Sequence, residues 1–238
     1  MKWIEEYRVN THDTDLNRIA SASGVMRYLQ DAANLNMEEC GPSYTELFDK
    51  GYAFILSRIR LCMYAPLLSH DKIVCETWPT PSHGVSFNRA YRILRDGDVV
   101  CEGDSVWALV DYRSGKLCRV DEIELNYGGD EALNLDMPAR VRIPREMELS
   151  LVGEHTVEYS ETDINGHLNN TYYADIFCHF LPMRGSRVTS INISYLSELP
   201  IGETVKVYLG ESEGVYYFRT VKADGTLNAE AAVTLEGY

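Results

Sequence analysis

A short motif occurs twice in this chain of 238 residues, and the repeat limits how the chain can fold. Thr14-Asp15-Leu16-Asn17 returns 148 positions later as Thr162-Asp163-Ile164-Asn165. An extended pattern precedes each copy, and an amphipathic helical pattern follows it. Because self-similarity at a fixed spacing is typical of a repeated folding unit, we expect two similar halves.

The apolar spacing after each motif predicts one helix per half. In the first half the apolar stripe contains Val25, Met26, Leu29, Ala32 and Ala33. In the second half it contains Tyr172, Tyr173, Ile176, Phe177, Phe180 and Leu181. In each set the spacing places the apolar side chains on one face of a helix. The second helix is predicted to have Asn169 or Asn170 as its N-cap and to end at Pro182.

Only strand patterns follow each predicted helix. The predicted strands are 54–63, 72–78, 85–95 and 98–111 in the first half, and 187–197, 204–210, 214–223 and 226–236 in the second. The last two strands of each half meet at an Asp-Gly pair, 96–97 or 224–225, which favours a tight hairpin. A long antiparallel sheet buries a single helix by curling around it. We therefore predict an α+β protein of two tandem hotdog repeats, each a long helix wrapped by a curved antiparallel sheet.

These patterns divide the chain into three parts. Residues 1–118 form the predicted N-terminal hotdog, and residues 151–238 form the predicted C-terminal hotdog. Residues 119–150 contain Gly128-Gly129 and two prolines and fit neither the helix nor the strand period. We interpret this segment as a connector with room for one short helix rather than as a third domain.

The charge balance excludes two classes of partner. The chain contains 22 Lys and Arg against 36 Asp and Glu, a formal net charge of −14. A general nucleic-acid binder needs a basic surface, and so does a protein held on anionic lipid by its overall charge. There is no apolar run of roughly 18 residues and no signal-peptide pattern. We therefore expect a cytoplasmic protein with reduced cysteines and no nucleic-acid or membrane partner.

Polar residues cluster before the second predicted helix but not at the matching place in the first half. The second copy reads Asp163-Ile164-Asn165-Gly166-His167-Leu168-Asn169-Asn170, and the first reads Asp15-Leu16-Asn17-Arg18-Ile19-Ala20-Ser21-Ala22. Ile19 stands in the place of His167, and Ala22 in the place of Asn170. A requirement of the fold would act on both copies alike. The difference therefore indicates a functional site in the second half.

This cluster has the residue types needed to hydrolyse an acyl group. Asp163 could act as a base or a nucleophile, with Asn165 and His167 orienting it or the attacking water. Backbone N–H groups at the helix start could stabilise an oxyanion. Glu198, at the end of a predicted strand, is a second candidate, because the first half has Ala65-Pro66 there. The alternative interpretation is a polar turn with a buried, hydrogen-bonded histidine.

The chain resembles the acyl-acyl carrier protein thioesterase family over nearly its whole length. The first-half segments that resemble this family are 27–33, 56–58, 77–78, 105–107 and 116–119. The most specific match is the pattern D-x-N-x-H-x-N-N, which runs from Asp163 to Asn170. The resemblance implies hydrolysis of fatty acyl-acyl carrier protein to free fatty acid and carrier protein, with no metal or organic cofactor.

The resemblance also implies roles for single residues. The family's catalytic Asp, Asn, His and Glu fall on Asp163, Asn165, His167 and Glu198. In the plant members a Cys follows that Glu, but here the position is Leu199. A Cys-His mechanism therefore has no nucleophile nearby, and carboxylate-led hydrolysis is favoured. Whether Asp163 attacks directly or activates water stays open.

Substrate and partner contacts complete the expectations. Asn169 and Asn170 are predicted to contact the substrate. The resemblance also implies that the first half binds the acyl chain, with Gly24, Val25 and Tyr28 as candidate lining residues, although core packing would place them equally well. Acyl carrier proteins are acidic, so a local basic patch must attract them. The densest basic stretch contains Arg140, Arg142 and Arg145, whose alternative interpretation is a solvated connector.

Two other functions remain open from the sequence. One is an acyl-CoA thioesterase on the same fold, and the other is a non-catalytic protein that binds acyl thioesters. The polar cluster in the second half argues against the non-catalytic protein. A tandem hotdog can complete its sheet as a monomer, and a homodimer of such units is also compatible with the sequence.

Overall fold

The strands of both halves belong to one continuous antiparallel sheet. The computed structural model describes residues 2–122 and 130–237. The first half contributes β1 (Trp3–Arg8), β2 (Tyr52–Met63), β3 (Lys72–His83), β4 (Ser86–Arg95), β5 (Asp98–Asp111) and β6 (Lys116–Cys118). The second half contributes β7 (Ser150–Thr156), β8 (Ser186–Tyr195), β9 (Thr204–Ser212), β10 (Val215–Lys222) and β11 (Leu227–Gly237).

The strand order has internal two-fold symmetry. It runs β1-β3-β4-β5-β2-β8-β11-β10-β9-β7, with β6 added beside β5. Read from either end of the main path, the order is the same once β7 to β11 are matched with β1 to β5. The halves join where β2 pairs with β8, with Ile59 opposite Ile193 and Leu61 opposite Ile191. The α+β class and the two tandem hotdog repeats are confirmed.

The long first helix, α1 (Ala22–Cys40), is wrapped by the sheet as expected. Ser21 caps it by accepting a hydrogen bond from the Gly24 N–H at 3.1 Å. Val25 and Leu29 are buried in the main core. A shorter helix that the sequence analysis missed, α2 (Tyr44–Lys50), starts at a Ser43–Glu46 capping box.

The second helix differs from the prediction. α3 (Tyr172–Cys178) has only 7 residues, and its N-cap is Thr171 rather than Asn169 or Asn170. The chain leaves the α-helix before Pro182, through a tighter turn in which the Leu181 N–H bonds to the Cys178 carbonyl at 3.2 Å. A proline disfavours helical backbone in the residue before it and has no N–H of its own. The apolar pattern therefore overestimated the length of this helix.

The two predicted Asp-Gly hairpins also differ from each other. Asp96 and Gly97 both have positive φ, 54° and 90°, as a tight two-residue hairpin requires. At the second pair only Gly225 has positive φ, and residues 223–226 form a longer loop between β10 and β11. A further Gly-based two-residue hairpin, Glu213-Gly214, joins β9 to β10 and was not predicted.

One apolar core spans both halves on the inner face of the sheet. Phe177 of α3 stacks on Phe218 of β10, with 4.7 Å between ring centroids. The two main helices are also joined by a polar contact, because the Ser23 hydroxyl donates to the Asp175 carboxylate at 2.5 Å. None of the helices within residues 2–122 and 130–237 is long and apolar enough to span a membrane.

The described part of the connector crosses the outer face of the sheet. The carbonyl of Glu131 accepts from the Trp78 indole at 2.9 Å, and the carbonyl of Pro138 accepts from the Asn192 side chain at 2.8 Å. This cover explains why Asn192, on the face opposite the core, is buried. Residues 130–149 contain no helix or strand, and a 3-10 turn spans Val120–Glu122. Gly128-Gly129 lies outside the described residues.

Candidate active site

The loop before α3 is held closed by the side chain of Asp163. Its Oδ1 accepts the backbone N–H of Asn165 at 2.8 Å and that of His167 at 3.2 Å. The Asp163 N–H donates to the carbonyl of His167 at 2.8 Å, and Gly166 completes the turn with φ 77°. A carboxylate that accepts N–H groups two residues on is a common way to stabilise a turn. Part of the role of Asp163 is therefore structural.

The matching loop in the first half has the same hydrogen bonds. Asp15 Oδ1 accepts the N–H of Asn17 at 2.8 Å and that of Ile19 at 3.3 Å. Arg18 takes the place of Gly166 and also has positive φ, 64°. The shared Asp-x-Asn pattern thus follows from the shared loop. It does not by itself distinguish a functional half from a structural one.

The two loops differ in the side chains that meet the segment beside them. Leu168 N–H bonds to the carbonyl of Leu199, and Ala20 N–H bonds to the carbonyl of Leu67, each at 2.8 Å. This register matches Glu198 with Pro66. An ionisable pair in the second half therefore corresponds to an apolar pair in the first.

The ionisable pair is a direct contact. His167 Nε2 lies 3.5 Å from Glu198 Oε2, with 29% of the His side chain and 56% of the Glu side chain exposed. The N–H of His167 also binds the Asp163 carboxylate, so three of the predicted catalytic residues lie within one connected group. Asn165 joins this group through its hydrogen bonds to Asp163.

A cavity of about 1270 Å³ opens beside this loop, between the two halves. The first half contributes apolar side chains to its wall, which include Ala33, Met37, Phe54, Phe87 and Trp107. The second half contributes Asp163, Asn165, Asn169 and Asn170, and the first half adds further polar groups, among them Tyr44 and Arg89. His167 and Glu198 are not among the described residues that line it. The cavity thus joins an apolar chamber to the Asp163 loop.

Family models match both halves of the chain. The model of the acyl-ACP thioesterase N-terminal domain matches residues 1–126, and the model of the C-terminal domain matches residues 145–235. The chain belongs to the acyl-ACP thioesterase family. It is a thioester hydrolase, and hydrolysis of fatty acyl-ACP is the reaction of this family.

Solved structures show the same fold over the whole chain. An acyl-ACP thioesterase from Bacteroides thetaiotaomicron is 20% identical, with a TM-score of 0.89, and the match covers 99% of this chain and 98% of that one. The 12:0-ACP thioesterase from Umbellularia californica is 15% identical, with a TM-score of 0.85, and the match covers 100% and 98%. No curated protein sequence matches the chain significantly.

Two asparagines of this thioesterase, Asn169 and Asn170, line the cavity and differ in their hydrogen bonds. Asn169 Oδ1 accepts hydrogen bonds from the N–H and the hydroxyl of Thr171 at 3.0 and 2.9 Å, which fixes its side chain. The Asn170 carbonyl accepts from the Tyr195 hydroxyl at 2.9 Å. No hydrogen bond of the Asn170 side-chain amide falls within the described residues. Within the described residues neither Asn169 nor Asn170 has an acceptor for its Nδ2 group, so both amides have donors left for a ligand, and only Asn170 also has its side-chain oxygen left.

The three first-half residues predicted to bind substrate lie elsewhere. A Cβ on Gly24 would come within 2.7 Å of the Asp13 carbonyl, so Gly24 serves a close helix–loop contact. The Tyr28 hydroxyl donates to Asp13 Oδ2 at 2.7 Å. Val25 lines a second, smaller cavity. The part of α1 that lines the larger cavity, from Gln30 to Glu38, lies one to three helical turns after Val25.

The sequence analysis missed two polar residues of the cavity wall. The Tyr44 hydroxyl, from the first half, donates to Asn165 Oδ1 at 3.4 Å, and burial raises the pKa of Tyr44, so it stays a neutral donor. Nothing in the sequence marks Tyr44. Arg89 donates to Asn36 and Thr77 at 3.0 Å each. Its place between Phe87 and Tyr91 on the inward face of a predicted strand could have revealed it.

The proposed basic patch is exposed on the connector. Arg140, Arg142 and Arg145 are all solvent-exposed. Burial lowers the pKa of Arg58 of β2, and the positive charges of Arg60 and Arg140 lower it further. The connector therefore brings positive charge to the outer face of an otherwise acidic protein.

Proposed function

We propose that the thioester is hydrolysed at the Asp163 loop, where the second half meets the cavity formed largely by the first. The cavity itself is the observation that supports this site. Its volume of about 1270 Å³ exceeds the roughly 300–1,000 Å³ of common small-molecule sites. Apolar side chains such as Met37, Phe87 and Trp107 line it, and the segment from Asp163 to Asn170 lines it with a carboxylate and three amides. This is the division of chemistry that a long acyl thioester needs.

The halves take different tasks in this proposal. The N-terminal hotdog, residues 1–118, holds the acyl chain against Met37, Phe87 and Trp107. Each methylene buried there contributes roughly 0.8 kcal/mol. The C-terminal hotdog, residues 151–238, supplies the polar groups at the thioester. Burial of the acyl chain in the first half thus provides binding affinity, and the side chains of the second half carry out the hydrolysis.

Asp163 is the general base. Its Oδ1 is engaged by two backbone N–H groups, whereas Oδ2 has only the Asn165 amide at 3.5 Å. Oδ2 accepts a proton from water, the water oxygen bonds to the thioester carbon, and the resulting oxyanion accepts a hydrogen bond from the Asn170 amide. When the C–S bond breaks, the fatty acid and a thiolate form, and the thiolate takes up a proton.

His167 supplies the proton for the thiolate, and Glu198 orients it. The Glu198 carboxylate lies 3.5 Å from His167 Nε2 and can fix the orientation of the ring. Neither side chain lines the cavity among the described residues, so the contact to the leaving group must form when substrate binds, as catalytic contacts often do. Asn169 fixes the backbone between His167 and α3.

Isotope labelling identifies a direct attack by Asp163 when the acyl-aspartyl intermediate is hydrolysed at its aspartyl carbon. In a single turnover in ¹⁸O-labelled water, a base mechanism places ¹⁸O in the fatty acid during the first turnover. A covalent acyl-Asp163 intermediate that is hydrolysed at the aspartyl carbon instead places ¹⁸O in the enzyme. Mass spectrometry of the product and of the peptide that contains Asp163 reads out both outcomes.

Carrier protein is the proposed form of the substrate, with the patch of Arg140, Arg142 and Arg145 as its contact. Both partners are acidic, so a local positive patch is needed to offset long-range repulsion. The test compares kcat/KM for one acyl chain attached to carrier protein and to CoA. A higher value for carrier protein supports the proposal. A higher value for CoA favours an acyl-CoA thioesterase, and no thiol release from either favours a binding protein.

A further inference from the structure

A second cavity lies at the position related to the first by the internal symmetry. Its volume is about 280 Å³. The loop before α1 forms one wall, with Asp15 and Ile19, and the end of α3 forms another, with Asp175 and Cys178. The larger cavity is built from the loop before α3 and the later part of α1. Each cavity therefore combines the loop of one half with the helix of the other.

The loop that borders the smaller cavity has the same hydrogen bonds as the Asp163 loop, but it lacks the ionisable pair that lies beside the Asp163 loop. The Asp15 loop repeats the hydrogen bonds of the Asp163 loop. Ile19 and Pro66, which match His167 and Glu198, both line the smaller cavity. Without an imidazole and a carboxylate at these positions, there is no proton donor of the kind proposed for the active site.

The charged groups around the smaller cavity are largely engaged. Asp15 closes its own loop, and Asp175 accepts the Ser23 hydroxyl at 2.5 Å. Arg187 donates to the Met63 carbonyl at 2.9 Å and to Glu236 at 2.6 Å. His179 is the remaining titratable side chain of basic character on the wall. With two carboxyl groups and one arginine, this wall does not favour a carboxylate ligand.

We propose that the smaller cavity is a second binding site, which holds an uncharged aliphatic chain and does not hydrolyse it. Apart from Ser21, the rest of its wall is apolar and includes Val25, Met63, Leu67 and Val188. A dry cavity of roughly 150 Å³ accommodates benzene, so this one has room for about ten non-hydrogen atoms. The chemical class follows from the family's acyl substrates and the matched loop. The site does not depend on the roles given to Asp163 or His167.

Methionine side chains make each cavity separately observable. Met63 and Met183 line the smaller cavity, whereas Met37 lines the larger one. The experiment labels the methionine methyl groups with ¹³C, assigns them by single Met→Leu variants, and titrates the full-length protein with 1-octanol. We expect saturable shifts at Met63 and Met183 as well as at Met37.

Ala65→Phe is the specific test, since Ala65 lines only the smaller cavity. Its ring would fill the space, so the shifts at Met63 and Met183 should disappear while the shift at Met37 remains. Ala33→Phe, on the wall of the larger cavity, should do the reverse. Ala65→Leu is the milder variant if Ala65→Phe fails to fold, and it should weaken the octanol response at Met63.

Three results would overturn the proposal. The first is no response at Met63 and Met183 when Met37 is saturated. The second is a response at those methyls that persists in a folded Ala65→Phe protein. The third is tighter binding of octanoate than of 1-octanol there, because an uncharged ligand is proposed. Fatty acyl-ACP hydrolysis is measured in parallel, so a failure of the active-site assignment is seen independently of the octanol shifts.

Discussion

Asp15 and Asp163 make the same backbone hydrogen bonds in two copies of one loop, yet Asp163 lines the larger cavity and Asp15 the smaller. The carboxylate of each is needed as an acceptor by its own loop. Only Asp163 lies beside a histidine and a glutamate. A comparison of Asp15 with Asp163 therefore distinguishes the loop-stabilising role that both share from the chemical role proposed for Asp163 alone.

Substituting each aspartate by asparagine should show that separation. Asn keeps an Oδ1 acceptor for the loop but cannot take a proton from water. We expect Asp163→Asn to lower kcat by roughly 100- to 10,000-fold with little change in Tm. Asp15→Asn is the matched control and should leave both nearly unchanged. Equal losses of kcat in the two variants would contradict the assignment of Asp163 as the base.

The His167–Glu198 contact should matter for turnover rather than for stability. We expect His167→Ala to lower kcat by roughly 100-fold or more, and Glu198→Gln to lower it less, because Glu198 acts through His167. The second half offers a similar contact as a control, His155 to Glu161 at 3.0 Å. His155→Ala should retain kcat. Near-normal turnover in His167→Ala would remove His167 from the mechanism.

The basic patch should affect only the carrier-protein substrate. Reversing Arg140, Arg142 and Arg145 to Glu should raise KM for acyl-ACP by roughly tenfold and leave KM for a small thioester unchanged. Reversing three exposed lysines, Lys50, Lys72 and Lys116, changes the net charge equally and is the control. If both triple variants raise KM to the same extent, overall charge rather than this patch is responsible.

The larger cavity should set the longest acyl chain that is accepted. Met37→Trp adds an aromatic side chain to its apolar wall. We expect kcat/KM to fall more for long acyl chains than for short ones, because the longer chain loses more buried methylene groups. Ala132→Trp, at an exposed connector position, should leave the chain-length profile unchanged. A uniform loss across a panel of acyl-ACP lengths would place the acyl chain elsewhere.

The helix–helix contact at Asp175 should make stability depend on pH. Burial raises the pKa of Asp175 and outweighs the hydrogen bond from Ser23. The unfolded carboxyl ionises near pH 3.9. The folded protein keeps the proton to higher pH, so this group's contribution to stability is greatest below that value and is lost as pH rises. In denaturant titrations, Asp175→Asn should gain stability relative to wild type from about pH 3.5 to about pH 7.

Asp111 provides a control of opposite sign. The Ser114 hydroxyl and the Arg113 N–H lower the pKa of Asp111, so its contribution is present above the unfolded pKa and is lost as pH falls. Asp111→Asn should therefore lose stability relative to wild type over the same rise in pH. A constant difference for Asp175→Asn would show that its ionisation is not coupled to folding.

The fold could be predicted because the repeat and the strand periods are local signals. Each signal is contained in a short stretch of sequence. This holds for each copy of the motif, at Thr14 and at Thr162, for each alternating strand and for the Asp96-Gly97 hairpin. The length of α3 could not be predicted from its apolar pattern, since Phe180 and Leu181 continue that pattern in a turn outside the helix. The pattern records burial, and a buried turn gives the same pattern as a buried helix.

The candidate site was predictable in its residue types but not in its geometry. The comparison of the two motif copies identified His167 and Glu198, which the structure places in contact. The same comparison could not show that Asp163 shares a loop role with Asp15. Tyr44 was missed because its contact with Asn165 joins parts of the chain 121 residues apart. Such a contact leaves no periodic signal.

The pairing of β2 with β8 has a consequence for any protein made from one half alone. In the intact sheet β2 lies between β5 and β8, and β8 lies between β2 and β11. Separating the halves therefore leaves β2 of one half and β8 of the other as open edges. An open edge with buried apolar residues such as Leu61 and Ile191 is a template for association. An isolated half should therefore associate with a second copy or aggregate, and co-expressed halves should reassemble through this edge.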